Sequence, residues 1–337
     1  MKIGFFELEG WEKSAIEAQL VGHELFMTAN KVTALELPEQ RDIEVLSVFV
    51  NSRIDAEVLN ALPNLKYVIT RSTGYDHIDL SECKKRGIPV SFVPGYGDNT
   101  VAEFAFGLLI NLTRKIYQGI DRIKETGSFS LVGLRGVDLA GKTLGVIGTG
   151  RIGKKMIKIC KGFEMNVIAF DPFPDTKAAA ELGYTYVPFE DLLKQSDVIT
   201  LHCMYTPQTH HLINKNNISL LKKGSFLVNT ARGPLVETEA ITMAITQGIL
   251  AGAGMDVLEE EGETKDELFH LTNGHPKEEE LRTIIMNNAL MKMPNVLITP
   301  HNAFNSQEAL VRILNFALGS ITSFTKGEVT NAVPEVK

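Results

Sequence analysis

Short apolar runs alternate with amphipathic segments along the whole chain. Most of the runs are apolar throughout rather than at every second position, the pattern of strands buried on both faces. They fall at residues 2–6, 43–50, 67–70, 90–93, 143–147, 167–170, 198–201, 225–229, 252–257 and 296–299. Helix-like segments lie between them at 56–62, 153–163, 191–195 and 238–247. Strand, helix, strand repeated in this way predicts parallel sheets with helices on both faces. The first block of about four strands ends in the turn-rich stretch 93–97, and the second begins at Thr143. A helix over 100–124 joins them, with Thr100 and Glu103 spaced as a capping box. A last helix over 306–325 is expected to cross back and pack on the first block, so that the chain passes twice between domains. The acid-rich stretch 259–280, broken by glycines, reads as a solvated excursion.

Length and composition narrow the class. The chain of 337 residues suits two domains of roughly 150 residues each. Apolar residues make up 44% and charged residues 22%, so it can build ordinary cores. Its 34 basic against 41 acidic side chains give a formal charge of −7, which argues against a nucleic-acid partner. The three cysteines, Cys83, Cys160 and Cys203, are scattered, which suggests neither a disulfide framework nor a metal site and suits a reducing compartment. Residues 1–7 turn acidic before any apolar leader could form, and no run of about 18 apolar residues occurs. A cytoplasmic location without membrane association is expected.

The second block opens on a motif with a mechanism. The apolar strand 143–147 runs into Gly148, Thr149, Gly150, Arg151, Ile152 and Gly153, which open a helix. A second strand ends at Asp171, 18 residues beyond Gly153, against an interval of about 20 in dinucleotide-binding units. Gly148 permits a sharp turn, Gly150 lets the backbone approach a pyrophosphate, and Gly153 lets helix and strand pack closely. The helix N-terminus offers free N–H groups and the positive dipole end. A carboxylate at Asp171 would accept from ribose hydroxyls and repel a 2′-phosphate, so NAD is favoured over NADP.

Three further strand ends carry chemistry. Arg232 follows the strand at 225–229, Asp256 and the run Glu259, Glu260, Glu261 follow the next, and His301 follows the last. Beside a nicotinamide these suit hydride transfer at a carbonyl. Arginine offers a two-pronged donor to a carboxylate, histidine exchanges the hydroxyl proton near neutrality, and a carboxylate on the other ring nitrogen fixes the tautomer. On chemistry alone His77, His202, His210, His211 and His270 rival His301.

The ordered motifs at 72–80 (STGYDHIDL), 146–153 (VIGTGRIG), 229–233 (NTARG), 254–261 (GMDVLEEE) and 299–304 (TPHNAF) resemble the D-isomer-specific 2-hydroxyacid dehydrogenases, and among them the D-lactate type. The resemblance implies an α/β fold of two doubly wound domains with a cleft between: a Rossmann NAD domain over 101–300 and a flavodoxin-like substrate domain over 1–100 and 301–337. It makes Arg232 the substrate arginine, His301 the acid/base and Glu261, five residues past Asp256, its carboxylate. The amides of Thr73 and Gly74, Tyr96 and Phe304 would face the substrate. His202, Thr206, Thr230, Ala231 and Asp256 would join Gly148–Gly153 and Asp171 around NAD. No metal is implied, the partner is a small 2-oxo or 2-hydroxy acid, and a homodimer contacting through the helix at 100–124 is expected. The long segment from Glu259 to the last strand and the aromatic Phe304 favour pyruvate. Met204 departs from the family's proline. Larger branched or aromatic substrates stay open. So does a NAD-sensing role like that of the C-terminal binding protein corepressors, which carry a tryptophan where this chain has Phe304.

Overall fold

The computed structural model describes residues 1–261 and 277–334. The chain forms two compact units, Met1–Tyr96 with Ser306–Lys337, and Gly97–Asn305. Against the expected division at 100/101 and 300/301, His301 therefore lies in the second unit rather than at the head of the first.

In the first unit, β1 (Lys2–Phe5), β2 (Glu24–Met27), β3 (Val45–Val48), β4 (Tyr67–Thr70) and β5 (Val90–Ser91) form a parallel sheet in the order β2-β1-β3-β4-β5. That is the flavodoxin-like order. Helices α1 (Lys13–Gln19), α2 (Ala56–Ala61) and α3 (Leu80–Lys85) make the connections. β3 and β4 are buried at every position, as their mostly apolar runs lead one to expect, with the hydroxyls of Ser47 and Thr70 satisfied by Arg71 and Ser72. β2 escaped the sequence reading because it is an edge strand with no fully buried residue. The C-terminal helix, Gln307–Thr325, packs here: Phe324 stacks on Tyr67 with centroids 4.3 Å apart. Beyond it Ala332 makes an antiparallel bridge to Ser91.

The second unit is built on β6 (Thr143–Ile147), β7 (Asn166–Phe170), β8 (Thr185–Tyr186), β9 (Val198–Leu201), β10 (Ser225–Asn229), β11 (Leu250–Met255) and β12 (Val296–Ile298). All pairs are parallel and the order is β12-β11-β10-β9-β6-β7-β8, doubly wound with its reversal between β6 and β9. The helices are α4 (Asp98–Arg114), α5 (Ile116–Thr126), α6 (Arg151–Gly162), α7 (Thr176–Leu182), α8 (Phe189–Gln195), α9 (Thr238–Thr246) and α10 (Glu278–Met291), with α11 being the C-terminal helix above. Two expectations are corrected. The helix over 100–124 is two helices, broken where Lys115 turns left-handed at φ 53°. It also begins earlier, at Asp98 behind an N-cap Gly97, so Thr100 and Glu103 lie inside the first turns and form no capping box; Glu103 accepts from the Asn99 amide at 2.8 Å instead. The acid-rich stretch is not wholly an excursion, since α10 starts at Glu278; His270 and the rest of 262–276 lie outside the described residues.

Candidate active site

All seven strands of the second sheet end at one edge, and past six of those ends lie residues that the sequence singled out. Parallel strands leave backbone groups without ladder partners at this edge, which is where doubly wound sheets bind ligands.

Past β6 the chain turns at Gly148, whose φ is 91° and whose added Cβ would lie 2.6 Å from the Cys203 nitrogen. A Cβ on Gly153 would strike the Gly148 carbonyl at 2.1 Å, so helix α6 packs directly on the turn. Gly150 has open space where its Cβ would be, and it caps α6 with no side chain on the first amides. This cradle admits a pyrophosphate. Arg151 pairs with Asp98 at 3.3 Å, and Ile152 packs on the core beneath α6.

Asp171, past β7, already accepts on Oδ2 from the Thr149 amide (2.7 Å) and hydroxyl (3.0 Å), and on Oδ1 from the Phe173 amide (2.9 Å). It is both a turn anchor and a cofactor candidate, because a carboxylate has about four acceptor sites and one remains on Oδ1. The Thr149 hydroxyl also meets the Tyr186 hydroxyl at 2.7 Å, a partner the sequence reading missed because Tyr186 lies on the short edge strand β8.

Past β9, His202 donates its backbone N–H to Ile147 O, and its Nε2 lies 2.9 Å from the Thr200 hydroxyl. Burial pushes its pKa down to about 4, so the ring is neutral at physiological pH. The following loop is closed by Thr209, whose hydroxyl accepts from the Thr206 amide at 2.7 Å. Met204, the departure from proline, is 80% exposed there.

Past β10 the Asn229 side chain ties the turn, accepting from Ala231 N (3.0 Å) and donating to Arg232 O (2.8 Å). The Thr230 hydroxyl is buried without a hydrogen-bond partner among the described residues, a polar atom left for a ligand to satisfy. Arg232 is half-buried, in extended backbone, with Nη1 donating to Ala231 O at 2.7 Å.

Asp256, past β11, is 1% exposed, and its carboxylate accepts from the Thr299 hydroxyl and from the amides of Asn302 and Ala303, both at 2.8 Å. It thus anchors the loop that carries His301. Burial raises its pKa against the lowering effect of those donors. His301 is held left-handed at φ 53°, with its N–H directed to Asp256 O and Thr299 O, both at 2.9 Å. Its Nδ1 lies 3.2 Å from each carboxylate oxygen of Glu261. The structure therefore separates the three neighbouring acids: Glu261 faces His301, while Glu259 Oε1 lies 2.5 Å from His211 Nε2. Asn229 and Met255 pair in register, as do Met255 and Ile298, so the ends bearing Arg232, Asp256 and His301 belong to three adjacent strands.

In the first unit the turn past β4 is tied internally. The Ser72 hydroxyl lies 2.6 Å from Thr70 Oγ1 and from Gly74 O, Thr70 Oγ1 is 3.1 Å from His77 Nε2, and Thr73 donates to Val93 O at 2.8 Å. These bonds leave Thr73 and Gly74 in a fixed turn. Tyr96 follows β5, and its carbonyl accepts from Arg312 Nε at 2.7 Å. Phe304 is half-buried in the loop after His301. Among the described residues no cluster of His, Cys, Asp or Glu could hold a metal, and no helix is long and apolar enough to cross a membrane.

Comparison with known proteins follows the same lines. Residues 106–303 match the family described as D-isomer specific 2-hydroxyacid dehydrogenase, NAD binding domain. The chain is 37% identical over 336 residues to a 2-hydroxyacid dehydrogenase homolog of Zymomonas mobilis, covering 97% of this chain and 98% of that one. Among solved structures it is similar to the apo form of D-lactate dehydrogenase from Escherichia coli (TM-score 0.84, 35% identity, 99% of this chain and all of that one). It is equally similar to D-lactate dehydrogenase from Aquifex aeolicus complexed with NAD and lactic acid (TM-score 0.84, 35% identity, 96% of each chain).

Proposed function

The chain belongs to the D-isomer-specific 2-hydroxyacid dehydrogenases, enzymes that work with NAD, and within that family we propose that it reduces a small 2-oxo acid, pyruvate first, reversibly to the D-2-hydroxy acid. The observation that carries the reading is the His301–Glu261 pair, at 3.2 Å, on a strand end next but one to that of Arg232. The lactic acid in the Aquifex aeolicus structure and the aromatic Phe304 support a small substrate.

When bound, NADH supplies the hydride. The protein does the rest. Arg232 takes the substrate carboxylate through two parallel N–H···O bonds and polarises the neighbouring carbonyl. Glu261 holds Nδ1 of His301, so Nε2 is the nitrogen that carries the exchanged proton. In the first unit, the amides of Thr73 and Gly74 and the Tyr96 hydroxyl are the groups we assign, on the family resemblance, to substrate binding. The cradle at Gly148–Gly153, Asp171, His202, Thr206, Thr230 and Ala231 is assigned to NAD, with Asp256 acting there through the loop it anchors. A homodimer is supported by the exposed Ile116, Ile120 and Ile123 on one face of α5 and by Phe129, Leu131 and Val132 beyond it, each more than 80% exposed; a monomer in sedimentation velocity would remove that assignment.

A steady-state panel of 2-oxo acids with NADH and NADPH tests the substrate. Pyruvate with NADH should rank first, and a branched or aromatic acid at the head would overturn it. In Arg232→Ala, kcat/KM for pyruvate should fall about a hundredfold to several thousand-fold, equivalent to about 3–5 kcal/mol, while NADH still binds by fluorescence titration. Unchanged pyruvate kinetics would refute the role of Arg232.

A further inference from the structure

A second histidine–glutamate pair lies beside the first, and nothing in the reaction above uses it. The carboxylate of Glu259 can only accept, so His211 donates its Nε2–H to Oε1 at 2.5 Å. The other oxygen accepts the Thr238 amide at the start of α9 (2.6 Å), and the Glu259 carbonyl accepts from Asn287 Nδ2 on α10 (2.8 Å). The partner histidine is itself fixed. His211 is left-handed at φ 50°, its N–H donates to Pro234 O at 2.8 Å, and its ring stacks on His210 with centroids 3.9 Å apart. Between the two segments there is no slack: a Cβ on Gly233 would lie 2.0 Å from the Leu258 carbonyl carbon and 2.5 Å from Glu259 N. Glu260 then turns left-handed, at φ 49°, and delivers Glu261 to His301.

From this arrangement we infer that His211 and Glu259 form a positioning pair. Glu259 is clamped by three elements, and the turn it starts sets where the Glu261 carboxylate falls against the acid/base histidine. The inference rests on the reading of Glu261 as the partner of His301. Neither residue need touch substrate or cofactor. Misplacing a group in a reaction by about 1 Å can cost up to about a hundredfold in rate, so loss of the clamp should appear in kcat.

A double-mutant cycle separates positioning from mere support. In pyruvate reduction, His211→Ala should lower kcat about tenfold with KM for pyruvate within about threefold. His211→Gln, whose amide can reach the place of Nε2, should recover most of the loss. In a Glu261→Gln background, His211→Ala should cost nothing further, because the group it positions has already been disabled. Glu259→Gln, close in shape to the native side chain, should give the same cycle and serves if His211→Ala does not fold. Wild-type kcat in both His211→Ala and Glu259→Gln, or losses that multiply with that of Glu261→Gln, would overturn the inference while leaving the reaction intact. A fully active Glu261→Gln would instead overturn the role of Glu261, and the inference with it.

Discussion

Arg71 in the first unit and Asp256 in the second occupy equivalent places, each immediately past a strand of a parallel sheet and each almost wholly buried. They solve the same problem with opposite charge. At the carboxyl edge of a parallel sheet the backbone groups of the loops have lost their ladder partners and must find others. Arg71, the longer side chain, reaches across strands. It donates to Phe6 O and Glu7 O past β1, at 2.7 and 2.8 Å, and to the Ser47 hydroxyl on β3 at 3.2 Å, while Glu12 lies 3.7 Å from its Nε. Asp256 is short and serves the single loop from Thr299 to Ala303. Each ion also has a left-handed residue beside its bonds, Glu7 at φ 55° and His301 at φ 53°. Such backbone persists in a non-glycine residue only where the surroundings over-determine it. The lesson is a division of labour: the buried cation holds one sheet's edge together, and the buried anion holds one catalytic loop in place.

The largest effect should come from breaking the cation. Arg71→Met leaves two backbone carbonyls without their donor and the buried Glu12 carboxylate without its counter-charge, which should cost about 3–5 kcal/mol. Hydrogen exchange should show that loss in β1, β3 and β4, with the second unit's sheet protected as before. Native protection in β1 would mean that the edge is held by something else. Asp256→Asn should cost less stability, about 3 kcal/mol, because one oxygen remains to accept while the amide nitrogen now faces a backbone N–H. Its larger signature should be kinetic, a kcat about a hundredfold lower as the His301 loop loosens. A variant that loses stability but keeps kcat would show that the loop does not depend on its anchor. The pH dependence of these two buried acids runs opposite to that of a carboxylate whose pKa is lowered by a salt bridge. Burial raises the pKa of Asp256 and likewise that of Glu12. Each therefore contributes stability that is full below the ordinary carboxylate pKa and is lost as pH rises through the raised value, so neither explains sensitivity to acid.

The parts of this design that repeat along the chain could be read from it. Parallel strands buried on both faces are mostly apolar and lack polar alternation, so β4, β6, β9 and β10 were placed to the residue, and the glycine turn with Asp171 follows from the sharp turn and close packing it needs. Edge strands β2 and β8 could not be read, being half exposed and short. The break at Lys115 was equally silent, since no glycine or proline marks it. At the site, residue types and strand ends narrowed the chemistry, but pairing is a matter of three dimensions. Residue chemistry alone does not tell Glu259 from Glu261, or His210 from His211; the family spacing from Asp256 picks out Glu261, and the left-handed turn at Glu260 sends one acid to His301 and the other to His211. Arg71 has no local mark in the sequence. Its burial depends on carbonyls supplied from about 65 residues earlier in the chain.

His202 extends the comparison to a group that the same kind of place keeps neutral. It too follows its strand immediately, past β9, but where Arg71 and Asp256 have bonds suited to a charge, its Nε2 has the Thr200 hydroxyl. Burial lowers its pKa from the ordinary 6.5 to about 4. A folded value below the unfolded one means that the unfolded chain binds the proton first, so the stability His202 contributes is full above about pH 6.5 and drains away as the pH falls towards 4. Each pKa unit is worth about 1.4 kcal/mol, which makes the loss between pH 7 and pH 5 about 2 kcal/mol. Urea unfolding of the wild type and of His202→Gln at those two pH values measures it. Glutamine keeps a polar end near Thr200 but cannot titrate, so the variant should lose about 2 kcal/mol less than the wild type over that interval. Equal losses in the two proteins would mean that His202 is not the group whose protonation the fold resists, and that this strand end tolerates charge as the other two do.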